Sequence, residues 1–251
     1  MALINKNLSL LLVLFCICSG LRLRAQNTVF LSEGKIEYEK RVNLYSRLDE
    51  NNAWSDFDKK LLPNFMVSYF DLVFSQNKTL FKPGRENPDN NKMFWEQPGE
   101  DNVVYSDMEK RQGVSQKKVF DQLFNVQDSL RAIKWKLTDE TRVIAGFNCR
   151  RANALIMDSI YVVAFYTDEI ITPGGPESFT GLPGMILGVA LPHQHITWFA
   201  TKVQSIAVRE TDVVSPIKGK KVDNATLSQT VQKLVKNWGK QGHMFLENIL
   251  L

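Results

Sequence analysis

The chain has 251 residues, 31 Lys and Arg against 27 Asp and Glu, a formal net charge of +4, and three cysteines. It contains no arginine-rich tract interleaved with aromatic residues, so the mild basicity is not the footprint of a nucleic-acid-binding protein. Much of that charge also lies at the front of the chain, in a segment of distinct character.

Residues 1–25 place a single Lys6 ahead of an apolar run at 8–17, and Leu23-Arg24-Ala25 precedes Gln26. That order reads as a secretory signal peptide, and the apolar run is too short for a membrane span. Cleavage would remove Lys6, Arg22 and Arg24 and no acidic residue, lowering the formal charge from +4 by three, to +1. Cys16 and Cys18 would leave as well, so Cys149 remains as an unpaired thiol and stability has to come from a core rather than from disulfides. The expectation is an exported protein, periplasmic, outer-membrane-associated or extracellular. Residues 26–251 would form one domain with no transmembrane span after signal cleavage.

Residues 34–44 alternate, with Ile36, Tyr38, Val42 and Leu44 on one side and Lys35, Glu37, Glu39 and Arg41 on the other, the period of a half-buried strand. Lys40 interrupts the apolar side. In residues 51–62, Trp54, Phe57, Leu61 and Leu62 have helix-like spacing before Pro63, which reads as a short helix or a loop excursion. Strands are then expected at 65–74 and 79–81 around a polar turn, and at 93–95, 103–106 and 117–124. A further pair is expected at 133–137 and 147–156, separated by 138–146. The run YVVAFY at 161–166 is apolar without alternation and predicts a strand covered on both faces. Residues 185–190 and 196–203 predict a hairpin continuing toward Val208. Near the end, Leu227, Val231, Leu234, Val235 and Trp238 recur at helical spacing, with Asn224 or Thr226 as the cap and Gly239 as the stop. A further helical turn or two from Gly242 is compatible with Met244, Phe245, Ile249 and Leu250. The fold class is therefore mostly β, a β-rich α+β chain: a curved antiparallel sheet or open half-barrel with a C-terminal amphipathic helix.

Between residues 166 and 203 two breaker clusters, Thr172-Pro173-Gly174-Gly175-Pro176 and Gly181-Leu182-Pro183-Gly184, frame residues 177–180. Such a backbone predicts a shaped loop delivering the next strand, with Gly181, Pro183 and Gly184 as its structural turn. Its side chains Glu177, Phe179 and Leu182 are the candidate ligand- or partner-binding residues if the loop projects as a recognition surface. The segment Phe179-Thr180-Gly181-Leu182-Pro183-Gly184-Met185-Ile186-Leu187 resembles the signature of the GLPGLI family, also called Porph_ging, with Met185 where the motif has leucine. Trp135, Ile144-Ala145-Gly146-Phe147-Asn148-Cys149, Ala152, Phe165-Tyr166-Thr167-Asp168-Glu169-Ile170 and Gly175-Pro176 follow the family's order. The resemblance implies an exported protein of Bacteroidetes-type bacteria, from a family of uncharacterised function with no catalytic residues to carry over. The turn Pro192-His193-Gln194-His195 departs from that pattern.

No Gly-x-Ser-x-Gly elbow or His-Glu-x-x-His pattern occurs, which removes the common hydrolase and metalloprotease classes. Cys149 is followed by two arginines, yet a buried strand cysteine is the favoured reading over a reactive thiolate. Asp168 and Glu169 are adjacent rather than facing each other across a cleft, so they make a poor acid and base pair. His193 and His195, two apart, would project to one side of an extended chain and approach one transition metal such as zinc, given a third ligand. The reading favours a non-enzymatic binding or cell-envelope-associated protein without a cofactor, taking an apolar ligand or an envelope protein partner. The alternative is a metal-binding or metal-dependent protein using the histidine pair.

Overall fold

The computed structural model describes residues 30–47, 63–90 and 98–251. The expected signal segment, the expected short helix or loop excursion at 51–62 and the expected strand at 93–95 fall outside these. Twelve strands are present among the described residues: β1 Gly34–Asn43, β2 Phe65–Ser75, β3 Lys78–Pro83, β4 Val103–Asp107, β5 Gln112–Val119, β6 Gln122–Ser129, β7 Lys136–Ile144, β8 Phe147–Ile156, β9 Ile160–Thr167, β10 Met185–Leu191, β11 Ile196–Gln204 and β12 Lys220–Val222. Two helices follow, α1 Asn224–Val235 and α2 Gly239–Leu250.

All twelve strands belong to one sheet in the order β12-β6-β5-β4-β3-β2-β1-β11-β10-β9-β8-β7. The sheet is open, with β12 and β7 as its two edges, and is not closed into a barrel. Neighbours are antiparallel except β12, which runs parallel to β6. The chain is thus mostly β, as its alternating short strands imply, and it carries two terminal helices rather than one. Among the described residues no helix is long and apolar enough to cross a membrane.

Some boundaries differ from those expected, each for a physical reason. The expected strand at 117–124 is two strands, because Phe120 and Asp121 form a hairpin turn in which Phe120 has φ +52. Neither residue is the glycine or asparagine that advertises such a turn. Residues 136–144, expected mostly as a connection, form β7, and the turn is at Ala145 and Gly146, with φ +49 and +88. The strand after residue 196 stops at Gln204 instead of reaching Val208. The α1 cap is Asp223, whose carboxylate accepts from Thr226 N–H at 2.7 Å.

Register determines which residues share a face, because directly opposed residues point the same way. Ile36 lies opposite Leu72, Leu72 opposite Phe81, Phe81 opposite Val104, Val104 opposite Ser115 and Ser115 opposite Val126. Stepping by two adds Tyr38, Lys40 and Val42 on β1 and Lys117 on β5 to that face. Lys40 is opposite Trp198 of β11. This is the covered face. The loop after β9 packs on it through Phe179, whose ring centroid is 6.2 Å from that of Trp198. The helices bring Leu227, Val231, Val235 and Ile249 against Val119, Phe124 and Val126. β9 is buried at every position except Tyr161, matching its unbroken apolar run.

Candidate functional site

The loop from residue 168 to 184 is built as its glycines predict. Gly181 and Gly184 have φ of +92 and +135, and a Cβ on Gly184 would lie 2.1 Å from the Thr167 carbonyl oxygen. Only a residue without a side chain fits there, because the loop returns beside β9 to start β10. Trp135 Nε1–H donates to the Thr180 carbonyl at 2.9 Å, and Ile186 N–H donates to the Gly174 carbonyl at 2.7 Å, so the loop is tied at both ends.

The loop does not project its side chains outward, as expected of a surface for recognition. Glu177, Phe179 and Leu182 are 3%, 1% and 3% exposed. The aromatic and aliphatic side chains complete the core, and their burial is the reason the loop lies flat on the sheet. Glu177 is a different matter, because it takes a carboxylate in with it.

Glu177 has φ +50, a left-handed conformation that disfavours any residue with a Cβ. Its Oε2 accepts from Asn102 Nδ2 at 3.0 Å. Burial pushes its carboxyl above the usual range, while Lys40 and Lys117 pull the other way. Lys40, 4% exposed, pairs with Glu100 at 2.8 Å and has its ammonium 5.7 Å from the Phe70 ring centroid and 5.6 Å from that of Trp198. Lys117 donates to the Ile249 carbonyl at 2.8 Å. Burial brings its ammonium down to about 8, with Glu177 opposing and Arg131 adding to the fall. Arg47 approaches the same region. Its Nε donates to the Gln194 carbonyl at 3.0 Å, and burial lowers it to about 10 against Glu100 and Glu247. Among the described residues, Trp198 Nε1–H is buried with no hydrogen-bond partner.

Two small spaces adjoin this cluster. One of about 10 Å³ touches Lys40, Glu100, Glu177 and Trp198. The other, about 50 Å³, touches Ser106, Ser115, Lys117, Arg131 and Ser178. Leu251 lies between them, bordering both. The first has room for about one water molecule and the second for about three to five.

The remaining candidates are placed apart. His193 and His195 are both exposed; His193 is in the 3-10 turn Pro192–Gln194 and His195 follows with φ +55. A 3-10 turn is not extended chain, so residues two apart do not share a side. Among the described residues no group of three or more His, Cys, Asp and Glu converges in a way that would hold a metal. Cys149 is fully buried, and burial pushes its thiol up to about 12, so it is not an activated nucleophile. Glu169 is a loop anchor whose carboxylate accepts from Asn148 N–H at 3.3 Å.

Residues 155–188 match the model of a family described as a protein of unknown function, Porph_ging. The GLPGLI resemblance is borne out over this span. It runs from β8 through β9 and the whole loop to Gly188 in β10, and so includes Glu177 and the turn glycines. No curated protein is a match in sequence. Two solved structures of PNGF-II, in space groups P21 and C2, share the fold with TM-scores of 0.52 at 16% identity. They align over 80% of this chain and over 34% and 33% of PNGF-II, so the chain spans about a third of that protein's length. At that identity the likeness is one of fold.

Sequence reasoning found Glu177 and missed Lys40, Glu100, Asn102, Lys117 and Trp198 as its company. Two signals were visible: Lys40 interrupts the apolar side of β1, and Lys117 occupies the step between Ser115 and Val119 on β5. Only the fold brings the two strands to one carboxylate.

Proposed function

We propose that this Porph_ging-type protein is an exported, non-enzymatic binding protein of the cell envelope, and that it recognises its ligand on the covered face of a curved, half-barrel-like sheet centred on Glu177. Lys40 on β1 and Lys117 on β5 lie four strand spacings apart in the sheet, and both draw the Glu177 carboxyl toward its charged form.

The observation that carries the reading is the expense of this cluster. Burying an ion costs several kcal/mol, and a well-packed apolar group of similar size is often more stable in its place. A left-handed backbone at the same residue adds roughly 1–3 kcal/mol. Strain and buried charge concentrated at one position of the family signature favour a recognition role over a purely structural one. The small space beside Glu177 means that a ligand reaching it displaces residues at 98–100 or 248–251. The apolar run at residues 8–17 supports export.

The test is Glu177→Gln, which keeps the shape and the Asn102 contact and removes the charge. The expected result is a folded protein whose melting temperature shifts with the loss of the buried charge, together with loss of the molecule that the parent retains from envelope extract, identified by mass spectrometry. A folded Glu177→Gln protein that retains the same molecule as the parent would overturn the assignment.

A further inference from the structure

The end of α2 reaches the covered face, where three successive main-chain oxygens are each held by a side chain from a different element. Lys117 Nζ of β5 donates to the Ile249 carbonyl at 2.8 Å. Arg131, after β6, donates to the Leu250 carbonyl, and Ser178 Oγ of the loop donates to Leu251 O. Ile249 and Leu251 are 1% and 3% exposed, and each enters a different apolar cluster. Arg47 adds a longer contact to Asn248 Oδ1 at 3.4 Å.

Free carbonyls at a helix end need partners, but water or a glycine cap usually supplies them. Here the partners are a buried lysine and a largely buried arginine, and Arg131 keeps a second nitrogen, Nη1, buried and without a partner among the described residues, beside the space of about 50 Å³. The helix they hold has weak signals of its own. Its first turn has no acidic residue, its last turn has no basic residue, and its N-cap Trp238 makes no capping hydrogen bond. It also contains Gly239 and Gly242, which favour the unfolded chain. The donors are thus built into the sheet and loop, and the segment they grip has weak helix signals, its other hold being the packing of Phe245 and Ile249 on the second apolar cluster.

The geometry points to a peptide-binding site in which Lys117, Arg131 and Ser178 read consecutive main-chain oxygens and the flanking apolar clusters take aliphatic side chains. Residues 248–251 occupy it in cis. The ligand in trans is a peptide segment of the same chemistry, a polar residue followed by aliphatic residues. This rests on the covered face being the recognition surface and names the class of partner it takes.

The experiment uses the full chain and a fluorescent peptide of its own sequence 239–251, GKQGHMFLENILL, followed by anisotropy. Loosening the cis segment with Leu251→Ser raises the competent fraction, and the expected gain in apparent affinity is about tenfold. Adding Lys117→Met to that variant removes the gain. No saturable binding to a folded Leu251→Ser chain, equal binding of a scrambled peptide, or binding indifferent to Lys117→Met would each overturn the site. If Leu251→Ser fails to fold, hydrogen exchange on the unaltered chain decides: saturating peptide accelerates exchange of amides 242–251, and an unchanged pattern overturns the site. If the peptide fails while Glu177→Gln still abolishes retention from envelope extract, only the peptide assignment falls.

Discussion

The two faces of the sheet use the same charged residues to opposite effect. On the open face Lys35 pairs with Asp71 at 2.8 Å and Arg85 with Glu37 at 3.1 Å, all four partly exposed, and Arg85 stacks 3.3 Å from the Tyr69 ring centroid. On the covered face Lys40, Lys117 and Glu177 are at most 4% exposed among aromatic and aliphatic side chains. Water screens the first group, so each pair contributes little and each loss is small. The second group has only its protein partners, so its members matter singly and their protonation is tied to folding. Alternation along a strand puts Lys35 and Lys40 on opposite faces of β1, and that single step separates a solubilising charge from a candidate site residue.

The largest effect is expected where the covered face is apolar. Phe179→Ala removes a fully buried ring against Trp198 and should destabilise by about 3–5 kcal/mol. That lowers the melting temperature by about 10 °C, and a near-parental melt would show that the loop does not contribute to the core. Gly184→Val follows, at about 3 kcal/mol from backbone strain. Its Cβ would meet Thr167, so a variant melting like the parent would mean the loop does not enter β10 through this turn.

Lys117 sharpens the comparison through pH. Its folded value of about 8 lies below the ordinary 10.5, so between those values the unfolded chain binds more protons and stability rises with pH. Relative to Lys117→Met, the parent should gain about 2 kcal/mol from pH ~7 to ~9.5. Denaturant titrations at the two pH values measure it, and a difference that stays flat with pH would mean the ammonium is solvated. On the open face Lys35→Ala should change stability by less than about 1 kcal/mol and lose even that in high salt. Smallest of all, replacing His193 and His195 together by alanine should leave stability within about 0.5 kcal/mol, with at most weak zinc binding in the parent. A stoichiometric zinc ion lost in that double variant would restore the metal reading.

Read by itself, the sequence determined the local facts. Alternation in β1, the unbroken run of β9, the helical spacing of α1 and the glycines at 181 and 184 each follow from side-chain period or from φ, which neighbours in the chain largely set. It marked Glu177 as belonging to a special loop, and it marked Lys40 as an interruption of an apolar stripe. The hairpin at Phe120 escaped notice because tertiary contacts, with Phe120 stacked 5.1 Å from Phe245, hold a residue that would not choose that turn alone. What only the tertiary structure decided is which way the loop faces and whom Glu177 meets. Lys40, Asn102 and Lys117 are separated from it by 60 residues or more in the chain, and no local period links them. Their meeting depends on strand order, on register and on the burial of Phe179, each of which is settled by long-range packing rather than by the residues next door.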